Sequence, residues 1–389
     1  MHVCEPRLIK ENDKQYIQYK LIVRGKKNPI YKTYSDFYEF QKKLTNDMPG
    51  LYIPCLPEKI LIDNPTNDLL IKRKNLLNNF CSKIQNFKYI INSEEFEYFL
   101  KENKNNNNSE IVSSKLNINE IFIKYQKYFK TFNNNKEEII IKKIDDSIIY
   151  TKNNLKNLEK FKNDVLSLMN EKENEFKNLK DLIDIFIDYE KNVLIQYTNN
   201  DLIKLIFMNP ENESISFRIN NLHNFLINPF IKLLEWIEDD ILDFKSMQNT
   251  LESFSNLILL YKNKILKLNE INKNINELNN NYNNYLNILM SCSQSSSENN
   301  LENLLKEKEI IENEKNNLLS IINISDKVNE EYISKFKQEK MDKYNAQFKI
   351  FVEEDKKNRY YINDLWIIIS NSLKIQSQCK ENKEQNISP

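Results

Sequence analysis

The stretch QYIQYKLIVRGKKNPIYKTYSDFYEF, residues 15–40, decides the fold of the N-terminal part of the chain. From residue 17 to residue 24, every second side chain is apolar, which is the pattern of a half-buried β-strand. Gly25 to Pro29 then supplies turn residues, and IYKTY at residues 30–34 predicts a second strand. The stretch therefore predicts a β-hairpin.

The hairpin runs directly into a predicted helix. Ser35 is the expected N-cap, and Asp36 is favourable in the first turn because a helix N-terminus attracts negative charge. Phe37, Phe40 and Leu44 follow at helical spacing and mark one apolar face.

Two further helices are predicted after a proline-rich segment. YIPCLPEK, residues 52–59, is expected to be extended because its two prolines favour a polyproline-like backbone. A second helix is predicted at about Thr66–Ile84 and a short third helix after Ser93. The residues expected to face the core are Leu69, Leu70, Leu76, Leu77, Phe80 and Ile84 in the second helix and Phe96, Phe99 and Leu100 in the third.

The composition favours long helices and argues against an enzyme. The 389 residues include 2 glycines, 9 prolines and 29% charged side chains. Two glycines cannot form a glycine-rich phosphate loop, the two histidines lie far apart in sequence, and no metal-ligand spacing occurs. We therefore expect no catalytic residues, no metal and no cofactor.

Charge and hydropathy limit the partners. Lysine plus arginine total 56 residues and aspartate plus glutamate total 56, so a nucleic-acid partner is not expected. No apolar run reaches the roughly 18 residues of a membrane-spanning helix, and the first residues show no signal-peptide pattern. The five cysteines are widely separated, which suits a reducing compartment. We expect a cytosolic protein that touches membranes only from outside.

The order of elements in the first hundred residues resembles the PX (phox homology) domain. Three motifs agree with that order at the family's spacing: TYSDF at 33–37, IPCLPEK at 53–59 and RKNLLNNF at 73–80. The resemblance implies an α+β PX domain at residues 1–102, with a small antiparallel sheet and helices. PX domains bind phosphoinositides, usually phosphatidylinositol 3-phosphate, so a phosphoinositide membrane is the implied partner.

The same resemblance assigns roles to three residues. Tyr34 would pack against the inositol ring, Lys59 would contact the 1-phosphate, and Arg73 would bond the ring hydroxyls through its guanidinium fork. From spacing alone, a core tyrosine, a solvated loop lysine and an exposed helix arginine are equally open interpretations.

Position 33 departs from the family pattern. Members with high 3-phosphate affinity carry an arginine where this chain has Thr33, and a hydroxyl supplies neither the charge nor the fork. Lys32 is the first candidate to replace that arginine, but successive strand residues point to opposite faces. A charge-assisted bond contributes about 1.5–3 kcal/mol, so we expect 3-phosphate binding to be weakened roughly tenfold to a hundredfold.

A linker and an amphipathic helix are predicted after the PX-like region. Residues 103–116 are polar and of low complexity, which indicates a flexible linker. Residues 117–134 predict a helix with lysines opposite an apolar face. That face consists of Ile118, Ile121, Phe122, Tyr125, Phe129 and Phe132. Two interpretations stay open: a wedge that lies in a lipid interface, and a helix that packs on its neighbours.

Residues 136–375 carry three long heptad-like patterns, which begin at about Ile141, Ile219 and Leu301. Chain reversals are expected at Asn209-Pro210 and at residues 291–300. Pro229 lies inside the second pattern and is expected to kink that helix. A polar tail is expected at residues 376–389.

Three long antiparallel helices after a PX domain resemble the all-α BAR domain of the PX-BAR sorting nexins. LLEWIEDDILDFKSMQNTL at residues 233–251 is similar to that family's second helix. The resemblance implies dimerisation into a crescent, as a homodimer or as a heterodimer with another sorting nexin. Additional apolar residues around Trp236 favour such an interface.

The implied function is that of a peripheral protein of endosomal membranes, which recognises phosphoinositides and senses or induces curvature for cargo sorting and vesicle or tubule transport. The lysines expected to face the membrane are Lys262, Lys264, Lys267, Lys273, Lys306 and Lys308. Glutamates alternate with them, so solvated coiled-coil charges are an open alternative. The rival function is a coiled-coil adaptor with a degenerate PX pocket, acting through a heterodimer partner or a protein ligand.

Overall fold

The computed structural model describes residues 1–11, 14–59, 66–101, 117–130, 137–199, 201–286 and 294–385. The chain divides into two compact units. The first unit contains Met1–Lys156 and Asp239–Phe336, and the second contains Asn157–Glu238 and Lys337–Pro389. The predicted linker at residues 103–116 lies outside the described residues.

A three-stranded antiparallel sheet opens the first unit, in the order β1 (His2–Glu11), β2 (Lys14–Ile22) and β3 (Ile30–Thr33). The predicted hairpin is confirmed, with β2 and β3 paired from Gln18 opposite Thr33. The sequence did not predict β1, whose pairing with β2 shifts register between Val3 and Pro6. Proline is tolerated there because β1 is an edge strand of the sheet.

Helix α1 (Tyr34–Asp47) begins two residues earlier than predicted. Its N-cap is Thr33 and not Ser35: the Asp36 backbone N–H donates to the Thr33 hydroxyl, and the Asp36 carboxylate accepts from the Thr33 backbone N–H at 2.6 Å. This reciprocal capping box satisfies two donors that a helix start otherwise leaves without partners. The predicted apolar face is confirmed, because Phe37, Phe40 and Leu44 are buried.

Three helices complete this α+β region: α2 (Asn67–Ile84), α3 (Lys88–Ile91) and α4 (Glu94–Phe99). Thr66 and Ser93 cap α2 and α4 with their hydroxyls. Phe37, Phe40, Phe80 and Phe99 form an aromatic core with ring centroids 4.6–6.5 Å apart. One core prediction is wrong: Leu69, in the first turn of α2, is 37% exposed.

Four helices carry the rest of the described chain. They are α5 (Ile118–Tyr128), α6 (Glu137–Tyr189), α10 (Phe230–Leu286) and α11 (Gln294–Gln385). Between α6 and α10 lie a π-helical turn and the short helices α7 (Ile195–Tyr197), α8 (Glu213–Asn220) and α9 (Leu222–Phe225). In the first unit α10 and α11 are antiparallel, since Lys264 pairs with Glu314 and Phe244 packs on Phe336.

Two boundary predictions are wrong. Pro229 does not kink a continuous second helix; α10 begins after it, and the Asn228 side chain accepts from the Phe230 N–H. A proline lacks the N–H that a helix interior needs, so starting α10 after Pro229 costs less free energy than placing Pro229 inside the helix. The expected reversal at 291–300 is already helical from Gln294, while residues 287–293 lie outside the described residues. Helix α11 runs to Gln385, so the residues predicted as a polar tail are helical up to that position.

A carboxylate organises the second unit near the end of α6. Glu190 is buried, and its carboxylate accepts the backbone N–H groups of Ile206, Phe207 and Met208 at 2.9–3.0 Å. These bonds fix the loop after α7 to the π-helical turn, which the sequence did not predict. The core of this unit consists of Ile183, Ile215, Leu222, Leu226, Leu365 and Ile369.

The loop after α1 approaches α10 so closely that a side chain larger than glycine would force a neighbour to move. Gly50 has a φ of +82°, and a Cβ there would lie 2.9 Å from Leu257 Cδ1. Its N–H donates to the Ser253 hydroxyl, and its carbonyl accepts from the Asn329 amide. The segment that leaves α1 is therefore held directly on the long helices of the first unit.

We expect Gly50→Ala to lower the free energy of unfolding by about 2–4 kcal/mol, because it adds a steric clash to the cost of a positive φ. Gly25→Ala is the matched control: its φ is +90°, but no atom lies within 4 Å of an added Cβ. That variant should lose only about 1–2 kcal/mol. Thermal and denaturant unfolding of both variants measures the difference. Equal losses of stability would show that the contact between Gly50 and Leu257 leaves room for a Cβ.

Candidate functional site

Two of the three predicted pocket residues, Tyr34 and Arg73, stack on each other. The Arg73 guanidinium carbon lies 4.4 Å from the centroid of the Tyr34 ring. The Tyr34 hydroxyl donates to the Pro57 carbonyl at 2.6 Å, and Arg73 Nη2 donates to the Glu58 carbonyl at 3.3 Å. The start of α1, helix α2 and the proline-rich segment therefore meet at one point. Lys59, the third predicted pocket residue, directly follows Glu58 in sequence and is exposed.

Arg73 is a buried cation without an acidic partner among the described residues. Its residue is 6% exposed, and its Nε has no hydrogen-bond partner there. A buried charge is costly unless an opposite charge or hydrogen bonds compensate it. Burial also raises the pKa of the Tyr34 hydroxyl, against the opposing effect of Arg73. This combination is what an anion-binding pocket provides.

Lys32 does not take part in this arrangement. Its ammonium donates to the Lys101 carbonyl at 2.9 Å and lies 5.5 Å from the centroid of the Phe99 ring. The residue is buried, and burial lowers its pKa. Lys32 therefore packs beside α4, and its ammonium is already bound to a backbone carbonyl. It does not replace an arginine at position 33.

Thr33 has a structural role that the sequence reading missed. Its hydroxyl both accepts from the Asp36 N–H and donates to the Asp36 carboxylate at 2.9 Å. The side chain is thus engaged in starting α1. The signal that could have shown this is the spacing of threonine and aspartate three residues apart, TYSD, which is a capping-box pattern.

The apolar face of α5 packs against other parts of the first unit. Tyr125 is buried, its hydroxyl donates to the Pro49 carbonyl, and it lies 3.4 Å from Ser325 Oγ. The Phe129 ring contacts the rings of Tyr89 and Tyr125. Ile118, Ile121 and Phe122 are half-buried, and Phe132 lies outside the described residues. This geometry favours the packed helix over the wedge.

Ion pairs hold the polar side of α5. Lys124 Nζ lies 2.5 Å from Asp47 and 2.6 Å from Glu95, and Lys127 lies 2.8 Å from Glu94. The opposing acids outweigh burial, so the pKa of Lys124 is raised. Lys124 and Lys127, two of the lysines on the polar side of the predicted interfacial helix, are thus bound to acids of the α+β region.

Most of the predicted membrane-facing lysines also have acidic partners. Lys264, Lys267 and Lys306 lie 2.5–2.7 Å from glutamates, and Lys273 and Lys308 lie 3.8–4.0 Å from theirs. Lys262 is exposed, with no ion pair found among the described residues. This pattern favours the solvated coiled-coil alternative, in which neighbouring glutamates offset the positive charge.

A second polar cluster, missed by sequence reasoning, joins α2 to α10 within the first unit. Lys83 Nζ lies 2.7 Å from Asp239 and 2.5 Å from Asp243, and the Tyr52 hydroxyl donates to Asp243. Burial would lower the pKa of Lys83, but Asp243 and Asp239 together outweigh it, so that pKa is raised. The available signal was a group of aspartates on an otherwise apolar helix face.

The rings of Tyr52, Phe87 and Tyr332 pack together beside this cluster. Apolar packing and a buried ion pair therefore act at the same contact. Both interactions hold the α+β region on the long helices of the first unit.

The PX family model and one solved structure agree with this architecture. The PX domain family matches residues 21–103. The cryo-EM structure of the SNX-BAR Mvp1 tetramer matches with a TM-score of 0.52 and 14% identity, covering 95% of this chain and 99% of that chain. The X-ray structure of a designed CISK-PX domain is 30% identical over 26% of this chain and 99% of that chain, with a TM-score of 0.23. No curated protein sequence matches.

The N-terminal region is thus a PX domain, a class of binding module. Followed by the long helices, it gives the chain the PX-BAR fold of the sorting nexins. Within the described residues, no helix is both long and apolar enough to cross a membrane.

Thr33→Arg should lower stability and raise affinity. Loss of the capping hydroxyl should lower the free energy of unfolding by about 1 kcal/mol. The added guanidinium should tighten binding of phosphatidylinositol 3-phosphate several-fold, because a charge-assisted bond contributes about 1.5–3 kcal/mol before the cost of ordering the side chain. Thr33→Ala is the matched control, which loses the cap without gaining charge. If both variants bind alike, position 33 does not face the ligand.

Proposed function

We propose that this protein is a peripheral membrane protein that binds phosphoinositide headgroups through its PX pocket. Its BAR helices dimerise, and the dimer senses or induces curvature on endosomal membranes for cargo sorting and vesicle or tubule transport. The observation that carries the proposal is the buried Arg73, stacked on Tyr34 without an acidic partner among the described residues. Phosphatidylinositol 3-phosphate is the proposed lipid.

The chemistry of the pocket supports an anionic, hydroxyl-rich ligand. Arg73 offers planar N–H donors, and Tyr34 offers a flat apolar face. Lys59 adds an exposed ammonium that a phosphate can approach from solvent. The two cations suit a headgroup with few phosphates. Because Thr33 adds no third cation, moderate affinity is expected.

Exposed apolar side chains in the second unit support association with another copy or another sorting nexin. Along α11, the exposed apolar residues Met341, Tyr344, Phe348 and Val352 recur every three or four residues. Phe225 and Ile227 are likewise exposed, whereas Leu234 is buried within the chain. Contiguous apolar surface of this kind marks a protein interface.

In this proposal α5 braces the PX domain and is not the source of curvature. Its buried Tyr125 and its ion pairs at Lys124 would have to be broken before the helix could enter a lipid interface. Curvature then depends on the dimeric helices and on the lipid affinity of the PX pocket.

The function is tested by flotation with vesicles that contain phosphatidylinositol 3-phosphate. Arg73→Lys keeps the charge but loses the fork and the stack, so binding should fall roughly tenfold to a hundredfold. Lys59→Ala should reduce binding about fivefold, the scale of one cation at an anionic surface. Lys232→Ala is the control, because that exposed lysine lies in the second unit beside Glu235.

Binding by the original protein that neither pocket variant reduces would disprove the pocket. No binding to any phosphoinositide vesicle would favour the rival function, an adaptor acting through a heterodimer partner. Two observations favour that rival: the uncharged Thr33 and the glutamate-paired lysines of α10 and α11.

Phe348→Asp should weaken self-association without unfolding the chain, since the side chain is 53% exposed. Loss of a central aromatic residue costs about 2 kcal/mol at an interface, roughly thirtyfold in the dissociation constant. Ile123→Asp, at 64% exposure in α5, is the control and should leave association intact. Light scattering across micromolar concentrations measures both. A monomeric original protein would point to a heterodimer or to the absence of this interface.

A further inference from the structure

The wall of the proposed headgroup pocket is attached to a helix of the BAR domain. On one side, the Cys55 N–H donates to Ser246 Oγ at 2.7 Å, and the Glu58 carboxylate lies 3.1 Å from Lys245 Nζ. On the other side, the carbonyls of Pro57 and Glu58 accept from Tyr34 and Arg73. The same short segment therefore bonds to α10 and to the pocket.

Glu58 is an acid in a place where a phosphate pocket needs positive charge. It directly precedes Lys59, and its side chain is 83% exposed, so its carboxylate could reach the neighbouring ammonium if nothing held it elsewhere. Its ion pair with Lys245 holds it at α10, where its charge is offset. Lys245 is 39% exposed and lies far outside the residues that match the PX family.

The small number of cations makes this acid important. Arg73 and Lys59 are the two cations assigned to the pocket, and Thr33 contributes none. A Glu58 carboxylate released toward Lys59 would offset one of the two and would repel an anionic ligand.

We propose that Lys245 is a positioning residue for the anionic headgroup, and that it acts through Glu58. By binding the Glu58 carboxylate, the BAR helix keeps Lys59 available to phosphate. The inference rests on the proposed phosphoinositide function and adds to it a determinant of affinity outside the PX domain. It also makes headgroup affinity depend on the seating of the PX domain on α10.

A double-mutant cycle in the full-length chain tests the proposal. The probe is soluble dibutanoyl phosphatidylinositol 3-phosphate, measured by calorimetry at low ionic strength, so that membrane avidity does not contribute. Lys245→Ala should weaken binding about two- to fivefold, the scale of an exposed ion pair. Glu58→Gln should bind at least as tightly as the original protein, and Lys245→Ala should have no further effect in that background.

Rescue by Glu58→Gln separates positioning from a structural role. If Lys245 only stabilised the domain contact, or itself touched the ligand, its loss would weaken binding equally in both backgrounds, and the proposal would be overturned. The effect of Lys245→Ala should also shrink in high salt, because exposed ion pairs are screened. Lys232→Ala serves as the remote lysine control.

A failure of the role proposed for Lys245 can be distinguished from a failure of the proposed phosphoinositide function. Binding by the original protein that Lys245→Ala leaves unchanged overturns the role of Lys245 alone. Absence of binding by the original protein, both to the soluble probe and to vesicles of the same lipid, overturns the phosphoinositide function and this inference with it.

Discussion

The extended segment from Pro49 to Lys59 must satisfy its backbone polar groups on two sides at once, and the first unit is organised around that requirement. A segment without its own helix or strand has to find side-chain partners, since buried backbone groups without hydrogen bonds are costly. Gln41, Tyr34 and Tyr89 bind its carbonyls from the PX side. Ser246, Ser253 and Asn329 bind it from the long helices. Its position is therefore set jointly by two domains.

Local periodicity was enough to predict the hairpin of β2 and β3, the buried face of α1, helix α2 and the presence of long helices, because each of these repeats along the sequence. It failed where the decisive partner is distant or the pattern is irregular. Strand β1 carries a proline and a register shift, and its identity as a strand depends on pairing with β2. The start of α10 after Pro229 depends on a local Asn228 bond, which apolar spacing does not encode.

The candidate site shows the same division. Motif spacing predicts Tyr34, Lys59 and Arg73 as pocket residues, and the structure stacks Arg73 on Tyr34. Motif spacing could not show that Lys32 is bound to the Lys101 carbonyl, or that Lys83 meets two aspartates about 156 residues away in sequence. Such pairings are fixed by tertiary structure, and single sequences carry little trace of them. The paired lysines of α10 and α11 were predictable in part, because their glutamates lie on adjacent turns or on the facing helix.

The first unit is discontinuous along the chain, and this has a consequence for its synthesis. The bond between Asn329 and the Gly50 carbonyl spans 279 residues. A nascent PX domain therefore waits, with Tyr52 and the Pro49–Lys59 segment lacking their helical partners, until most of the polypeptide has left the ribosome. Contacts that distant close slowly, and apolar surface exposed in the interval is prone to aggregation. The chain has very few glycines and long helical stretches, and such helices form quickly and locally. The conformational search that remains once α10 and α11 emerge is therefore shorter.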